Sequence, residues 1–153
     1  MNDEPYDKWN KVKKKVNGNS TPDFFFKERE VWWCSLGMNI GVETNGKNDL
    51  FERPVLILRV FNREMIWIVP VTSSLKKSKF YYPITINSLK QSINITQLRI
   101  VSSKRFLRKV CQLGNDDFDM IKKNLIQILE NETPTHGGGI SEPEGNNALS
   151  LSK

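Results

Sequence analysis

Residues 54–73 read PVLILRVFNREMIWIVPVTS, and this stretch decides the fold. Pro54–Phe61 is an almost unbroken apolar run, strand-length and rich in branched side chains. Asn62-Arg63 is a short polar break, and Met65–Val71 is a second apolar run. Two such runs across a tight break predict an antiparallel hairpin. Upstream, Glu30–Leu36 (EVWWCSL) predicts a strand, and Gly37–Leu50, with Gly37, Gly41 and Gly46, predicts a long loop. Downstream, Phe80–Ile86 (FYYPITI) alternates and carries Pro83, which suits an edge strand. Ile93–Val101 (INITQLRIV) alternates again and reads as one strand, and Val110–Leu113 as a short last one. Asn115 or Asp116 is then expected to cap a helix running to about Leu129, with Phe118, Ile121, Leu125 and Ile128 on one face. Five or six consecutive strands without intervening helices predict a mainly β fold, a small antiparallel barrel closed by a C-terminal helix.

Two segments flank this body. In residues 5–17, PYDKWNKVKKKVN, Tyr6, Trp9, Val12 and Val16 recur at helical spacing among lysines. This predicts a short basic helix, too narrow in its apolar stripe to stand alone and so packed on the body. Asn17–Pro22 reads as the linker behind it. Residues 131–153, NETPTHGGGISEPEGNNALSLSK, have a disordered composition without periodicity. The chain therefore divides into residues 1–27 (basic helix and linker), 28–130 (folded domain) and 131–153 (tail).

The 153 residues carry a net charge of +6. The tail holds three glutamates against one lysine, a net −2, which leaves +8 on residues 1–130. A basic body of this kind suits a polyanionic partner such as nucleic acid. No apolar run reaches membrane-spanning length, and the acidic start MNDEPYDKW lacks the apolar core of a secretory signal. Cys34 and Cys111 are too few for a disulfide framework or a zinc site, and they read as apolar filler in a reducing cytoplasm. No cofactor or metal is expected.

Residues 1–130 contain no histidine; His136 lies in the tail. Ser-His-Asp, Cys-His and paired-histidine ribonuclease mechanisms are thereby excluded. Phosphate-binding glycine motifs and clustered metal-binding carboxylates are missing too. Three places remain. Gly41-Val-Glu43 leads to Arg53-Pro54-Val55, with Arg53 at the rim of the expected barrel. Pro70-Val71-Thr72-Ser73-Ser74 ends a strand in hydroxyls, and the hairpin brings Arg53 and Thr72 out at one end. Thr96-Gln97-Leu98-Arg99 opens a basic run: residues 99–109 hold five cations and no acid.

Read in order, Glu30-Val-Trp-Trp33, Arg53-Pro-Val55, Val69-Pro-Val-Thr72-Ser73 and Gln97-Leu-Arg99 resemble the PemK/MazF family of type II toxins, over about residues 28–130. The resemblance implies an SH3-like barrel related to the gyrase poison CcdB, and a sequence-selective, metal-independent endoribonuclease acting on single-stranded RNA, often mRNA. It places catalysis on Arg53 and Thr72 and maps the glutamate of the G-x-E loop onto Glu43. It also implies a cytoplasmic homodimer, held inactive by a cognate antitoxin and binding DNA together with it. Ser73, Lys76, Lys77, Phe80, Gln97 and Arg99 are expected to meet RNA, Glu43 or Glu52 to act as the base, and at most one of Trp32 and Trp33 to reach a base. Two alternatives share the barrel: a CcdB-like toxin that binds protein and cuts nothing, and an RNA-binding regulator without turnover.

Overall fold

The computed structural model describes residues 2–130; the tail expected at 131–153, His136 included, lies outside the described residues. The elements are α1 (Glu4–Gly18), β1 (Glu30–Ser35), β2 (Glu52–Val60), β3 (Met65–Thr72), β4 (Tyr81–Ile86), β5 (Leu89–Asn94), β6 (Arg99–Ser102), β7 (Phe106–Gln112) and α2 (Asn115–Leu129). The expected central hairpin is β2–β3, antiparallel with Leu56 opposite Val69 and Ile57 opposite Ile68. The strands form one curled antiparallel sheet ordered β4-β5-β3-β2-β1-β7, with β6 also on β3. β4 lies at the edge of this half-barrel, as Pro83 suggests.

The unbroken apolar run is explained by burial on both faces. Leu56, Leu58, Val69 and Val71 enter one core with Val31, Ile93, Phe118 and Ile121. Their alternates Val55, Ile57, Ile66 and Ile68 enter a second core with Phe26, Cys34, Leu36 and Val101. A period of two thus sends successive side chains of one strand to two cores. The face of α2 carrying Phe118 and Ile121 closes the first core.

Three sequence expectations need correction, and the first of them raises the expected five or six strands to seven. Ile93–Val101 is not one strand: it is the end of β5, a 3-10 turn over Ile95–Gln97, and β6. The Asn94 side chain accepts from Thr96 N (3.2 Å) and Thr96 Oγ1 (2.7 Å), capping the turn and breaking the ladder. β5 pairs with Val71 and Thr72, and β6 with Met65–Ile68, so the corner lets the chain follow β3 around the bend of the sheet. The last strand is longer than expected, because β7 begins at Phe106 and pairs with β1 from Glu30 to Cys34. Finally, Gly114 occupies the N-cap of α2, and neither Asn115 nor Asp116 caps it. Asp117 in the first turn instead accepts from Tyr82 Oη at 2.8 Å, tying α2 to β4. Burial, reinforced by that bond, pushes the Tyr82 phenol up to about 12.

Glu30, nearly inaccessible on β1, joins the sheet to its flank. Burial pushes its carboxyl up, but Lys109 Nζ (2.6 Å), Trp32 Nε1 (2.9 Å) and Lys27 N (3.2 Å) hold it below its ordinary value of 4.5. A depressed folded pKa stabilises above the unfolded value, and that stabilisation fades as pH falls through the folded one. We expect urea midpoints of the intact chain to drop as pH falls below about 4.5. Glu30→Gln should cost about 1–2 kcal/mol at pH 7 and flatten the acid limb; an unchanged acid limb would remove Glu30 from the cause. The Cys34 thiol is buried in the second core and pushed up to about 12 by that burial, which fits an inert apolar role. Among the described residues, no helix is long and apolar enough to cross a membrane.

Candidate nucleic-acid cleavage site

The site grows from the long loop between β1 and β2. Gly37, at φ +93°, turns the chain out of β1. Its N–H donates to Phe51 O (3.1 Å) and its carbonyl accepts from Gly46 N (2.8 Å), while Lys47 and Glu52 exchange two backbone bonds of 2.8 Å. The loop is therefore a closed structure with its own ladder. Inside it, Asn39 N donates to Asn45 Oδ1 (2.6 Å), and Asn39 Nδ2 donates to Thr44 O (2.8 Å). Gln97 grips the same loop from the corner of the sheet: Thr44 N donates to its Oε1 (3.0 Å), and its Nε2 donates to Val42 O (3.1 Å).

This loop holds Arg53, whose Nε donates to Asn45 O at 2.8 Å. Among the described residues no carboxylate pairs with the guanidinium. Burial presses its pKa below the ordinary value. The β2–β3 register runs Leu56 to Val69 and Val55 to Pro70, so two residues further on Arg53 stands opposite Thr72. Both line a cavity of about 250 Å³, together with Val42, Thr44, Pro70, Ser74, Lys76, Tyr81 and Asn94. Thr72 Oγ1 accepts from Ser74 N (3.2 Å), which orients the hydroxyl and leaves its proton available for donation. Tyr81 Oη accepts from Lys76 Nζ (3.4 Å) and Asn94 Nδ2 (3.3 Å), bringing a cation to the cavity wall. Of the nine lining residues, none is a carboxylate or a histidine. Guanidinium, hydroxyl and ammonium groups around one small hollow suit an anionic tetrahedral group.

The other predicted residues are placed differently. Glu43 is exposed, and its Oε2 accepts from Ile40 N (3.0 Å), so it closes a turn of the loop outside the cavity lining. Glu52 is buried and held by both Nη atoms of Arg108, at 2.9 and 3.0 Å. Ser73 is exposed beside the cavity, which Ser74 lines in its place. Lys77 lines an adjoining groove of about 520 Å³ that shares Lys76 and Tyr81 with the cavity and adds Lys90. Phe80 is half-buried, with the Lys79 ammonium 5.2 Å from its ring. Arg99 sits opposite Ile68 on β6, close enough for its charge to act on Cys34. Trp32 is held by Glu30 and packed on Phe24, Phe26 and Phe106, whereas Trp33 lies under Arg108 at 4.7 Å. Sequence reasoning missed Thr44, Asn45 and Asn94. Asn45 acts through its backbone carbonyl, which no side-chain pattern reveals, and Asn94 is legible only as the cap of a turn read as strand.

The family model described as PemK-like, MazF-like toxin of type II toxin–antitoxin system matches residues 27–129. Among solved structures, MazF (Form-I) from Deinococcus radiodurans superimposes with a TM-score of 0.59 at 17% identity, over 71% of this chain and 99% of that one. MazE-MazF (Form-II) from the same organism gives 0.56 at 17% identity, over 70% and 97%. An endoribonuclease in complex with its cognate antitoxin from Mycobacterial species gives 0.55 at 14%, over 69% and 96%. At these identities the likeness is one of fold. No curated protein sequence matches the chain.

Proposed function

The chain belongs to the PemK-like, MazF-like family of toxins of type II toxin–antitoxin systems, and from that premise we propose that it is a metal-independent endoribonuclease cutting single-stranded RNA. The observation that carries this reading is the meeting of Arg53 and Thr72 in one cavity whose wall also holds Lys76. A ribose 2′-oxygen attacks the adjacent phosphorus, the bond to the 5′-oxygen breaks, and a 2′,3′-cyclic phosphate remains. Negative charge gathers on the non-bridging oxygens, where a guanidinium can bond two at once and Thr72 adds a third donor. Arg53 stabilises this charge and supplies a proton to the departing 5′-oxygen; burial moves its pKa in the direction that eases this transfer. The 2′-OH proton passes to water, since no carboxylate lines the cavity. Glu43 contributes by holding the turn that presents Val42 and Thr44. No metal is required because the substrate carries its own nucleophile, so excess EDTA should leave cleavage intact.

Lys76 and Lys77 hold the RNA backbone through the cavity and the adjoining groove. Ser73, Phe80 and Arg99 meet the strand beyond the cavity, with Phe80 offering a face for stacking. Gln97 acts through the loop it grips. Lys76→Ala should raise KM several-fold and reduce the slope of log binding against log salt by about one; an unchanged slope would take Lys76 off the RNA path. In the cytoplasm the partner is a cognate antitoxin, whose acidic segment matches the basic body, and two toxin chains associate as a homodimer. The test is incubation with a long single-stranded RNA beside Arg53→Ala and Thr72→Ala. Discrete fragments from the wild type alone support the enzyme. Retarded but uncut RNA points to the regulator, and no RNA interaction points to a protein-binding toxin.

A further inference from the structure

The site loop is supported on its outer side by a segment beyond the residues that match the family. The family match begins at residue 27, whereas α1 ends at Gly18. Trp9 is the one buried residue of α1, and its indole packs directly against Gly37. A methyl group built on Gly37 would stand 2.4 Å from Trp9 Cε2, so at this left-handed position (φ +93°) any side chain would have to push the indole aside. The same indole meets Phe51, at the far end of the loop, with ring centroids 5.6 Å apart. Its other contact is the Arg105 guanidinium, 5.6 Å from the ring, which donates to Ser35 O at 2.9 Å and so reaches the end of β1. Tyr6 Oη donates to Asn39 O at 3.4 Å. At the C-terminal end of α1, Lys104 Nζ donates to Asn17 O (3.0 Å) and Asn19 Nδ2 to Lys104 O (3.5 Å).

The residues touched by α1 connect to the catalytic arginine in few steps. Gly37 O accepts from Gly46 N, and Asn39, held by Tyr6, bonds Asn45 and Thr44. Asn45 O then takes the Arg53 Nε–H. We infer that α1 is a buttress for the site loop and that Trp9 is a positioning residue for Arg53, acting through Gly37, Phe51 and the Asn39–Asn45 pair. Its kinetic consequence rests on the endoribonuclease reading; its effect on the loop does not. The helix fixes both ends of a glycine-containing loop that the cavity otherwise meets on one side only. The lysines of α1 play no part in this role, which separates it from RNA binding by a basic helix.

The experiment uses the full chain with Trp9→Ala and Trp9→Phe. Amide hydrogen exchange should accelerate about tenfold or more over residues 38–47 in Trp9→Ala, with β2 and β3 protected as before. In cleavage assays kcat should fall roughly 10- to 100-fold, as expected for a catalytic group displaced by about an ångström, with KM within about twofold. Trp9→Phe should restore most of both. Tyr6→Phe, which removes a single hydrogen bond and leaves the fold intact, should accelerate exchange around Asn39 to a smaller degree. Unchanged loop exchange in both Trp9→Ala and Tyr6→Phe would overturn the proposal. So would protection lost equally across β2 and β3, which would make Trp9 a general stabiliser, or a rise in KM at constant kcat, which would make α1 an RNA-binding surface. A wild type that cuts no RNA, in a chain whose loop exchange responds to Trp9, would sink the endoribonuclease reading and leave the buttress standing.

Discussion

Arg53→Ala is expected to lower kcat for RNA cleavage by roughly 10²- to 10³-fold, the typical loss of one preorganised donor to a developing oxyanion. The guanidinium is anchored by Nε on Asn45 O and faces Thr72 across the end of the β2–β3 hairpin, so its orientation exists before substrate arrives. Removing it strands the Asn45 carbonyl and should cost about 1 kcal/mol of stability, too little to unfold the domain. Loss of activity with an almost unchanged thermal midpoint is therefore the expected signature. Arg53→Lys should recover little, because an ammonium cannot hold Asn45 O and bond two phosphate oxygens in a planar fork. Cleavage by Arg53→Ala within a few-fold of wild type would remove the arginine from the mechanism.

Gly46→Ala is expected to have the largest effect on stability. A Cβ at this position would lie 1.7 Å from Phe51 O and 2.0 Å from Phe51 C, both backbone atoms that cannot step aside as a flexible side chain can. The loop must open at the point where Gly46 N meets Gly37 O and Lys47 pairs with Glu52. Overpacking with loss of these bonds should cost roughly 2–4 kcal/mol in denaturant unfolding. Because Asn45 precedes the displaced residue, activity should fall further than the population of folded protein accounts for. A variant with wild-type stability and turnover would show that the loop closes in another way.

Both predictions depend on features of unequal visibility in the sequence. The hairpin is legible because two apolar runs flank a three-residue polar break, Asn62–Glu64, and the positions of Arg53 and Thr72 follow from their places just outside those runs. The terminal helix is legible from Phe118 and Ile121, although its cap is not, since Gly114 serves without a side-chain bond. The corner at Ile95–Gln97 is hard to read because Ile93 and Ile95 alternate with polar residues straight into a turn capped by Asn94; its one trace is the shift of the apolar phase to Leu98 and Ile100. The β4–β5 hairpin was hidden too: its turn residues Asn87 and Ser88 take φ of +48° and +65° without the glycine that usually marks such a turn. Glu43 and Glu52 looked equivalent as acids near an arginine. Only the fold shows that one closes a turn and the other is held by Arg108, which lies 56 residues away in the chain. Trp9 read as a packing residue, but that its partner would be Gly37 could not be known until the loop was placed.

The central claim is that Arg53 and Thr72 act together on the phosphodiester next to a ribose hydroxyl. The most direct measurement uses an oligonucleotide made of deoxyribose throughout except for one ribose on the 5′ side of a mapped cleavage linkage, incubated in EDTA. The account predicts a cut at that linkage alone, a fragment ending in a 2′,3′-cyclic phosphate, and no product with Arg53→Ala or Thr72→Ala. Equal cutting when that ribose is replaced by deoxyribose, or by the two variants, would contradict it.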